Sequence, residues 1–260
     1  MGASRTSAWP SRAARTRRAE DAVASASQIA HRGLPFANPM READVDRALG
    51  RLKLGPDALV LDTGCGNGEM LLRALAHDPS WRGLGVDLDP DAIAAARAAA
   101  AERLPGRDVR FEVRDAAEVT GRHDAVLNVG SSHVHGGYPG ALRVLRGLVA
   151  DGGTVVLGEG YWREPPSPAF LEALGGATGD ELSDIGGLRT AVLDAGFDIA
   201  SLTEAGEADW AAYEETLAAN AEADGGAETA AYARRIRDRR ALPDGTTTLG
   251  FALLVLRARP

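Results

Sequence analysis

Cysteine occurs once, at Cys65, so no disulfide can form within the chain and no cysteine cluster can hold zinc. That usage suits a reducing compartment, and the expected location is cytoplasmic. Lysine is equally scarce, with Lys53 the only one. No run approaches the roughly 20 apolar residues that span a bilayer, so no membrane partner is expected. A positive balance is also missing. The formal net charge of −8 gives no global field for a polyanion, which argues against nucleic acid as a partner. Met1 to Glu20 carries five Arg but no apolar core, so it is not a secretory signal. Residues 1–18 are expected to be a disordered leader; a basic arm for nucleic acid is the competing reading.

What is present suffices for a core. The 260 residues are 45% hydrophobic and 25% charged, in line with one soluble domain over residues 19–260. An Ala-rich helix is expected near Ala19–Ala30, then a turn-like stretch from His31 to Pro39, and a helix from Glu42 to Leu52. From there strand and helix signals alternate. Strands are expected at Ala58–Asp62, Gly83–Asp87, Val109–Val113, His123–Val129, Gly153–Gly158, Phe197–Leu202 and Thr248–Arg257. Helices are expected at Glu69–His77, Asp91–Leu104, Gly140–Val149 and Leu188–Ala195. Such alternation argues for an α/β fold, a mostly parallel sheet with helices on both faces. The rhythm breaks over residues 204–247, where helices around Trp210–Ala221 and Ala227–Arg240 flank Asp224-Gly-Gly226. We read this insertion as a helical cap.

Val60-Leu-Asp62-Thr-Gly64-Cys65-Gly66-Asn-Gly68-Glu69 carries the strongest chemical signal. A hydrophobic strand enters a glycine-rich turn and a helix opens directly after it. Glycines let backbone approach a ligand, and the helix start offers free amides. A tight turn without a ligand is the plain alternative. The spacing differs from a G-x-G-x-x-G dinucleotide fingerprint, and the G-K-[ST] of a P-loop is absent. In Gly85-Val-Asp87-Leu88-Asp89-Pro90, Asp89 precedes a proline suited to the first helical position and reads as an N-cap. Asp87 is left as an acid that can accept both ribose hydroxyls of a nucleoside cofactor. Val113-Arg-Asp115-Ala116 puts a third acid beyond the third strand.

In this order, these motifs resemble the class I S-adenosylmethionine-dependent methyltransferases, over about residues 58–160. The resemblance implies a Rossmann-like seven-stranded sheet whose last strand is antiparallel, and S-adenosyl-L-methionine as cofactor. It also implies residue roles. The loop of Gly64, Cys65 and Gly66 would underlie the methionine part, and Asp62 would reach its ammonium. Asp87 and Leu88 would serve the ribose end, Asp115 and Ala116 the adenine, and backbone near Asn128 the methionine moiety.

The segment after the fourth strand holds His133 and His135, candidate general bases or ordinary hydrogen-bonding groups. A His-x-His pair can also bind metal, but no third ligand stands at motif spacing, so no metal is expected. Glu159, Tyr161 and Trp162 are read as leaving the fifth strand, where an acid and two aromatics can line a substrate pocket. Trp210 and Tyr213 share a helix face and join the same candidate pocket; packing alone is the alternative. Glu159 is the third candidate catalytic residue. Methyl transfer from a sulfonium is an in-line displacement that rests mainly on alignment. Three functions stand open: transfer to a small-molecule acceptor, transfer to RNA or protein, and a non-catalytic S-adenosylmethionine-binding module. Asn128-Val-Gly-Ser131, in place of an Asn/Asp-Pro-Pro-aromatic motif, counts against nucleobase amino groups.

Overall fold

The structure, a computed structural model, describes residues 26–260. The expected leader, residues 1–18, lies outside the described residues, as does the first part of the Ala-rich helix. Among those described, residues 26–30 are helical (α1). The chain then runs α2 (Glu42–Leu49), β1 (Leu59–Thr63), α3 (Glu69–Ala76), β2 (Arg82–Asp87), α4 (Pro90–Arg103), β3 (Val109–Val113) and β4 (His123–Val129). There follow α5 (Tyr138–Leu148), β5 (Val149–Trp162), α6 (Pro168–Ala173), α7 (Ile185–Asp194), β6 (Phe197–Glu204), α8 (Glu207–Asp224), α9 (Ala227–Arg240) and β7 (Leu249–Ala258).

The seven strands form one sheet in the order β3-β2-β1-β4-β5-β7-β6, with six parallel and β7 antiparallel. The order reverses between β1 and β4. Right-handed crossovers therefore place α3 and α4 on one face, and α5, running the other way, on the opposite face. Apolar positions on each element explain the packing. Alternate glycines of β2 make room for α3 and its neighbours: a Cβ at Gly83 would meet Leu75 and Leu71, and one at Gly85 would meet Phe111. The α4 helix is Ala-rich and buries Ile93, Ala96 and Ala100, spaced three and four apart.

The chain divides into two compact units. One, the Rossmann unit, comprises residues 41–159, 186–204 and 252–260. The other is helical and comprises the described residues up to Met40, residues 160–185 and residues 205–251. This departs from one domain with a cap at 204–247: the helical unit also draws on two other segments, including α6, which the sequence did not signal. Its core explains why. Ala30 of α1 packs with Leu217, Ala218 and Ala221 of α8 and Ala233 and Ile236 of α9. A second cluster joins Trp162, Phe170, Leu174 and Leu249.

Another departure concerns β5. It was expected to end at Gly158, but continues through Trp162. The two glycines at 158 and 160 look like breakers in sequence. In the fold the Trp162 amide donates to the Ser183 carbonyl and the Arg163 amide to that of Thr248, so the strand finds partners and persists. Tyr161 and Trp162 are thus strand residues. Tyr161 packs against Gly250, where a Cβ would stand 2.3 Å from its ring. The α2 helix also stops earlier than expected, at Leu49, because Gly50 and a short turn close it.

Asp89 caps α4: its carboxylate accepts from the amides of Asp91 (2.9 Å) and Ala92 (3.2 Å), and Pro90 follows. Replacing it by Ala leaves those amides without a partner. Asp89→Ala is expected to lower unfolding free energy by about 1 kcal/mol, measured by urea titration. A change within error would mean that the cap carries no stability.

Candidate functional site

The site lies where the strand order reverses, at the carboxyl ends of β1, β2 and β4, a position at which open α/β sheets bind ligands. The loop after β1 is held by β2. The Val86 carbonyl accepts from both the Gly64 amide (2.9 Å) and the Cys65 amide (3.0 Å). The Asp87 carboxylate accepts from the Gly66 amide at 2.8 Å with one oxygen and from the Asp89 amide at 3.0 Å with the other. Each of its oxygens keeps acceptor capacity for a further donor.

The glycines of this loop do separate jobs. Gly64 has φ +72°, and a Cβ there would lie 2.4 Å from the Ser131 Cβ. It is glycine because the segment after β4 presses against it. Ser131 in turn donates through its hydroxyl to the Thr63 carbonyl at 2.7 Å. Gly68, at φ +80°, accommodates the ring of Phe111. Gly66, at φ +51°, has nothing within 4 Å of a hypothetical Cβ. Its tight backbone faces open space, as backbone that receives a ligand must.

Asp62, the next-to-last residue of β1, lies beside this loop and is 3% exposed. One of its carboxylate oxygens, Oδ2, has no hydrogen-bond partner. Burial, and then the charge of Asp87, push its pKa up to about 8. Asn128, one residue beyond the β4 partner of Asp62, donates its amide to the Thr63 hydroxyl at 2.9 Å; its Oδ1 is buried with no partner. Two buried acceptors without donors thus stand at the ends of neighbouring strands. Cys65 is buried, which raises its thiol pKa, and it behaves as a small packing residue.

Leu88 is 63% exposed and Val113 51% exposed, large apolar side chains left at the ends of β2 and β3. Asp115 caps a single helical turn by accepting from the Ala117 amide at 2.8 Å, and Ala116 is buried behind it. The turn Ser132–His135 carries both candidate histidines. Loss of solvent lowers the pKa of each. A backbone hydrogen bond to Gly130 and then the charge of Asp87 oppose the lowering at His133; the charge of Asp115 opposes it at His135. Both rings are therefore neutral at pH 7, and the Nε2 of His135 is buried without a partner. Glu159 is buried on β5, one residue past the Gly158 carbonyl that accepts from the Gly130 amide.

The aromatic candidates belong to the helical unit. The Trp162 indole donates to the Gly179 carbonyl at 2.9 Å and its ring meets Phe170 edge-on. The Tyr213 hydroxyl lies 2.7 Å from Nε2 of His31, whose Nδ1 is 2.7 Å from the Ser27 carbonyl. Trp210 stacks edge-on with Tyr213, and its indole nitrogen has no partner. So Asp62, Asp87, the glycine loop, Asn128, Asp115 and the two histidines come together on the Rossmann unit. Tyr161 and Trp162 are committed to packing, and Tyr213 to a bond with His31. Sequence reading missed Thr63 and Ser131, which lock the loop; their bonds span more than 60 residues of chain and leave no local pattern. Among the described residues no group of three His, Cys, Asp or Glu could hold a metal, and no helix is long and apolar enough to cross a membrane.

Residues 61–155 match a family described as a methyltransferase domain. The uncharacterized Escherichia coli protein YjhP is 32% identical over 181 residues, 68% of this chain and 72% of that protein. The X-ray structure of YjhP superposes with a TM-score of 0.79 at 27% identity, covering 90% of this chain and 99% of that one. A SAM-dependent methyltransferase from Geobacter sulfurreducens, crystallised with S-adenosyl-L-homocysteine, superposes with a TM-score of 0.80 at 23% identity, covering 90% and 98%.

The buried Asp62 carboxyl has a consequence for stability. Its folded pKa, about 8, lies above the unfolded value near 3.9. The folded state then holds a proton that the unfolded chain has lost, so stability falls as pH rises from about 4 to about 8 and levels off above. Asp62→Asn removes the titrating group and should flatten that decline in ligand-free protein, measured by urea titration across pH. Identical pH profiles for both proteins would show that Asp62 is already ionised and satisfied.

Proposed function

We propose that this chain, which belongs to the class I S-adenosylmethionine-dependent methyltransferase family, passes the cofactor's methyl group to a small-molecule acceptor. S-adenosyl-L-methionine is the cofactor, and S-adenosyl-L-homocysteine is left after transfer. The observation that carries the reading is the Asp62 oxygen buried without a donor beside a loop whose Gly66 faces open space.

The residues present fit that cofactor. An ammonium group offers the donors that Asp62 Oδ2 and Asn128 Oδ1 lack, and its charge restores the ionised form of Asp62. Asp87 has one acceptor site left on each oxygen for a pair of ribose hydroxyls. Leu88 and Val113 supply apolar surface suited to the flat face of a purine, and Asp115 and Ala116 border it. When bound, the cofactor supplies an electrophilic methyl on a sulfonium. The chain's own work is to hold and align it, and positioning of this kind is worth roughly 7–11 kcal/mol.

Acceptor chemistry falls to His133, His135 and Glu159 on the Rossmann unit. A neutral histidine can take a proton from a hydroxyl or ammonium acceptor, a contribution of roughly 10²–10⁴-fold. Because a base must be unprotonated and burial lowers both histidines, the rate should hold from pH 8 down to about 6.5 and fall only at lower pH; a kcat that does not fall at any acidic pH at which the protein stays folded would rule the histidines out as bases. The net charge of −8 and the lack of a Pro-Pro-aromatic motif after Asn128 favour a small acceptor over RNA.

Incubating the protein with radiolabelled methyl donor and fractionated bacterial extract tests the acceptor class. Label should enter the low-molecular-mass fraction; label confined to acid-precipitable material, sensitive to ribonuclease or protease, would favour a macromolecule instead. Gly66→Val should abolish cofactor binding with the circular dichroism spectrum unchanged, since the branched side chain fills the open space and tolerates positive φ badly. Calorimetric binding at wild-type affinity by the folded variant would move the cofactor away from this loop.

A further inference from the structure

Thr63 closes β1 between Asp62 and Gly64, and Asn128 follows Leu127 on β4; both side chains are fully buried. Their polar atoms form one directed chain. Asn128 Nδ2 donates to the Thr63 hydroxyl oxygen at 2.9 Å, and that hydroxyl donates to the Leu127 carbonyl at 3.1 Å. The Thr63 carbonyl accepts from the Ser131 hydroxyl at 2.7 Å and lies 3.4 Å from the same Asn128 nitrogen. Branching at Cβ restricts rotation of the Thr63 side chain, which keeps its hydroxyl in place.

A hydroxyl has a single proton. Thr63 directs it to Leu127, so the face it turns to Asn128 holds lone pairs only. The Thr63 carbonyl, also within reach, offers lone pairs as well. Two acceptors therefore meet the Asn128 side chain from β1, and only its NH2 end can answer them. The reversed amide would set Oδ1 against both oxygens, so the hydrogen bonds fix the orientation. Oδ1 is thereby turned away from Thr63, and it is buried with no donor. Asp62, the neighbour of Thr63 in the chain, holds Oδ2 in the same condition.

We propose that Thr63 is a positioning residue for the ammonium group of the cofactor: acting through Asn128, its hydroxyl makes the amide present an acceptor, and not a donor, to that group. This role rests on the placement of the ammonium beside Asp62 and Asn128. An ammonium carries three N–H donors and no acceptor. Oδ1 binds it, whereas an NH2 in its place would repel it. A tie that merely joins β1 to β4 would be indifferent to the amino group of the ligand.

The test is titration calorimetry at pH 7 with two ligands: S-adenosyl-L-homocysteine, and its analogue in which hydrogen replaces the amino group. The wild-type protein should bind the first about tenfold or more tighter than the second. Thr63→Val keeps the side-chain shape but removes the hydroxyl, which frees the amide to turn. It should weaken S-adenosyl-L-homocysteine about tenfold and leave the analogue within about twofold of wild type. Thr63→Ser retains the hydroxyl and should bind both ligands as wild type does. In an Asn128→Ala background, Thr63→Val should cause no further loss, since the group it positions is gone. Were Thr63→Val to lose the wild-type circular dichroism spectrum, Thr63→Ala, which removes the same hydroxyl, is measured in its place. Equal weakening of both ligands by the folded variant, no weakening of either, or losses that add in the double variant would overturn the role of Thr63 and leave the ammonium placement standing. Equal affinity of the wild-type protein for the two ligands would overturn both.

Discussion

Burying the Asp62 carboxyl at the end of β1 costs free energy that the chain itself leaves uncompensated: one oxygen has no donor, and Asp87 adds a second negative charge nearby. The surrounding structure holds this unfavourable arrangement in place. The Val86 carbonyl and the Asp87 carboxylate fix the backbone of residues 64–66, while Ser131 and Asn128 tie Thr63 to the segment after β4. A loop shaped by so many bonds cannot relax around Asp62 and satisfy it. Binding a cation there relieves a strain that folding has already stored, which is how a rigid site gains affinity.

The sheet makes that arrangement possible. With β1 and β4 adjacent at the point where strand order reverses, the loops that follow them diverge to opposite faces and leave a crevice between. Gly64 is the close-contact point of the two segments, and Gly66 the point that remains open. The same motif therefore contains one glycine required by packing and another by ligand approach, a distinction that spacing alone does not reveal.

How much was legible follows from how local the cause is. The alternation of β1 to β4 with α3 and α4 could be read because hydrophobic runs, glycine turns and the Asp89-Pro90 cap are all local signals. The carboxyl half of β5 could not: Gly158 and Gly160 read as an exit, and the strand continues because Ser183 and Thr248, far along the chain, supply its hydrogen bonds. The helical unit was only partly visible for the same reason. The α8 and α9 helices show their periodicity, whereas the recruitment of Ala30, Trp162 and Phe170 depends on tertiary packing. Tyr161 and Trp162, attractive as pocket residues by position, are held by Gly250, Phe170 and the Gly179 carbonyl.

The central claim is that a cationic cofactor group ionises Asp62 on binding, and proton release tests it most directly. Titration calorimetry with S-adenosyl-L-homocysteine at pH 7, in buffers of differing ionisation enthalpy, reads the number of protons exchanged. With a ligand-free pKa of about 8, Asp62 is mostly protonated at that pH. The account predicts release of close to one proton per ligand bound, and its disappearance in Asp62→Asn. Binding with no proton release in the wild-type protein, or the same release in Asp62→Asn, would contradict it.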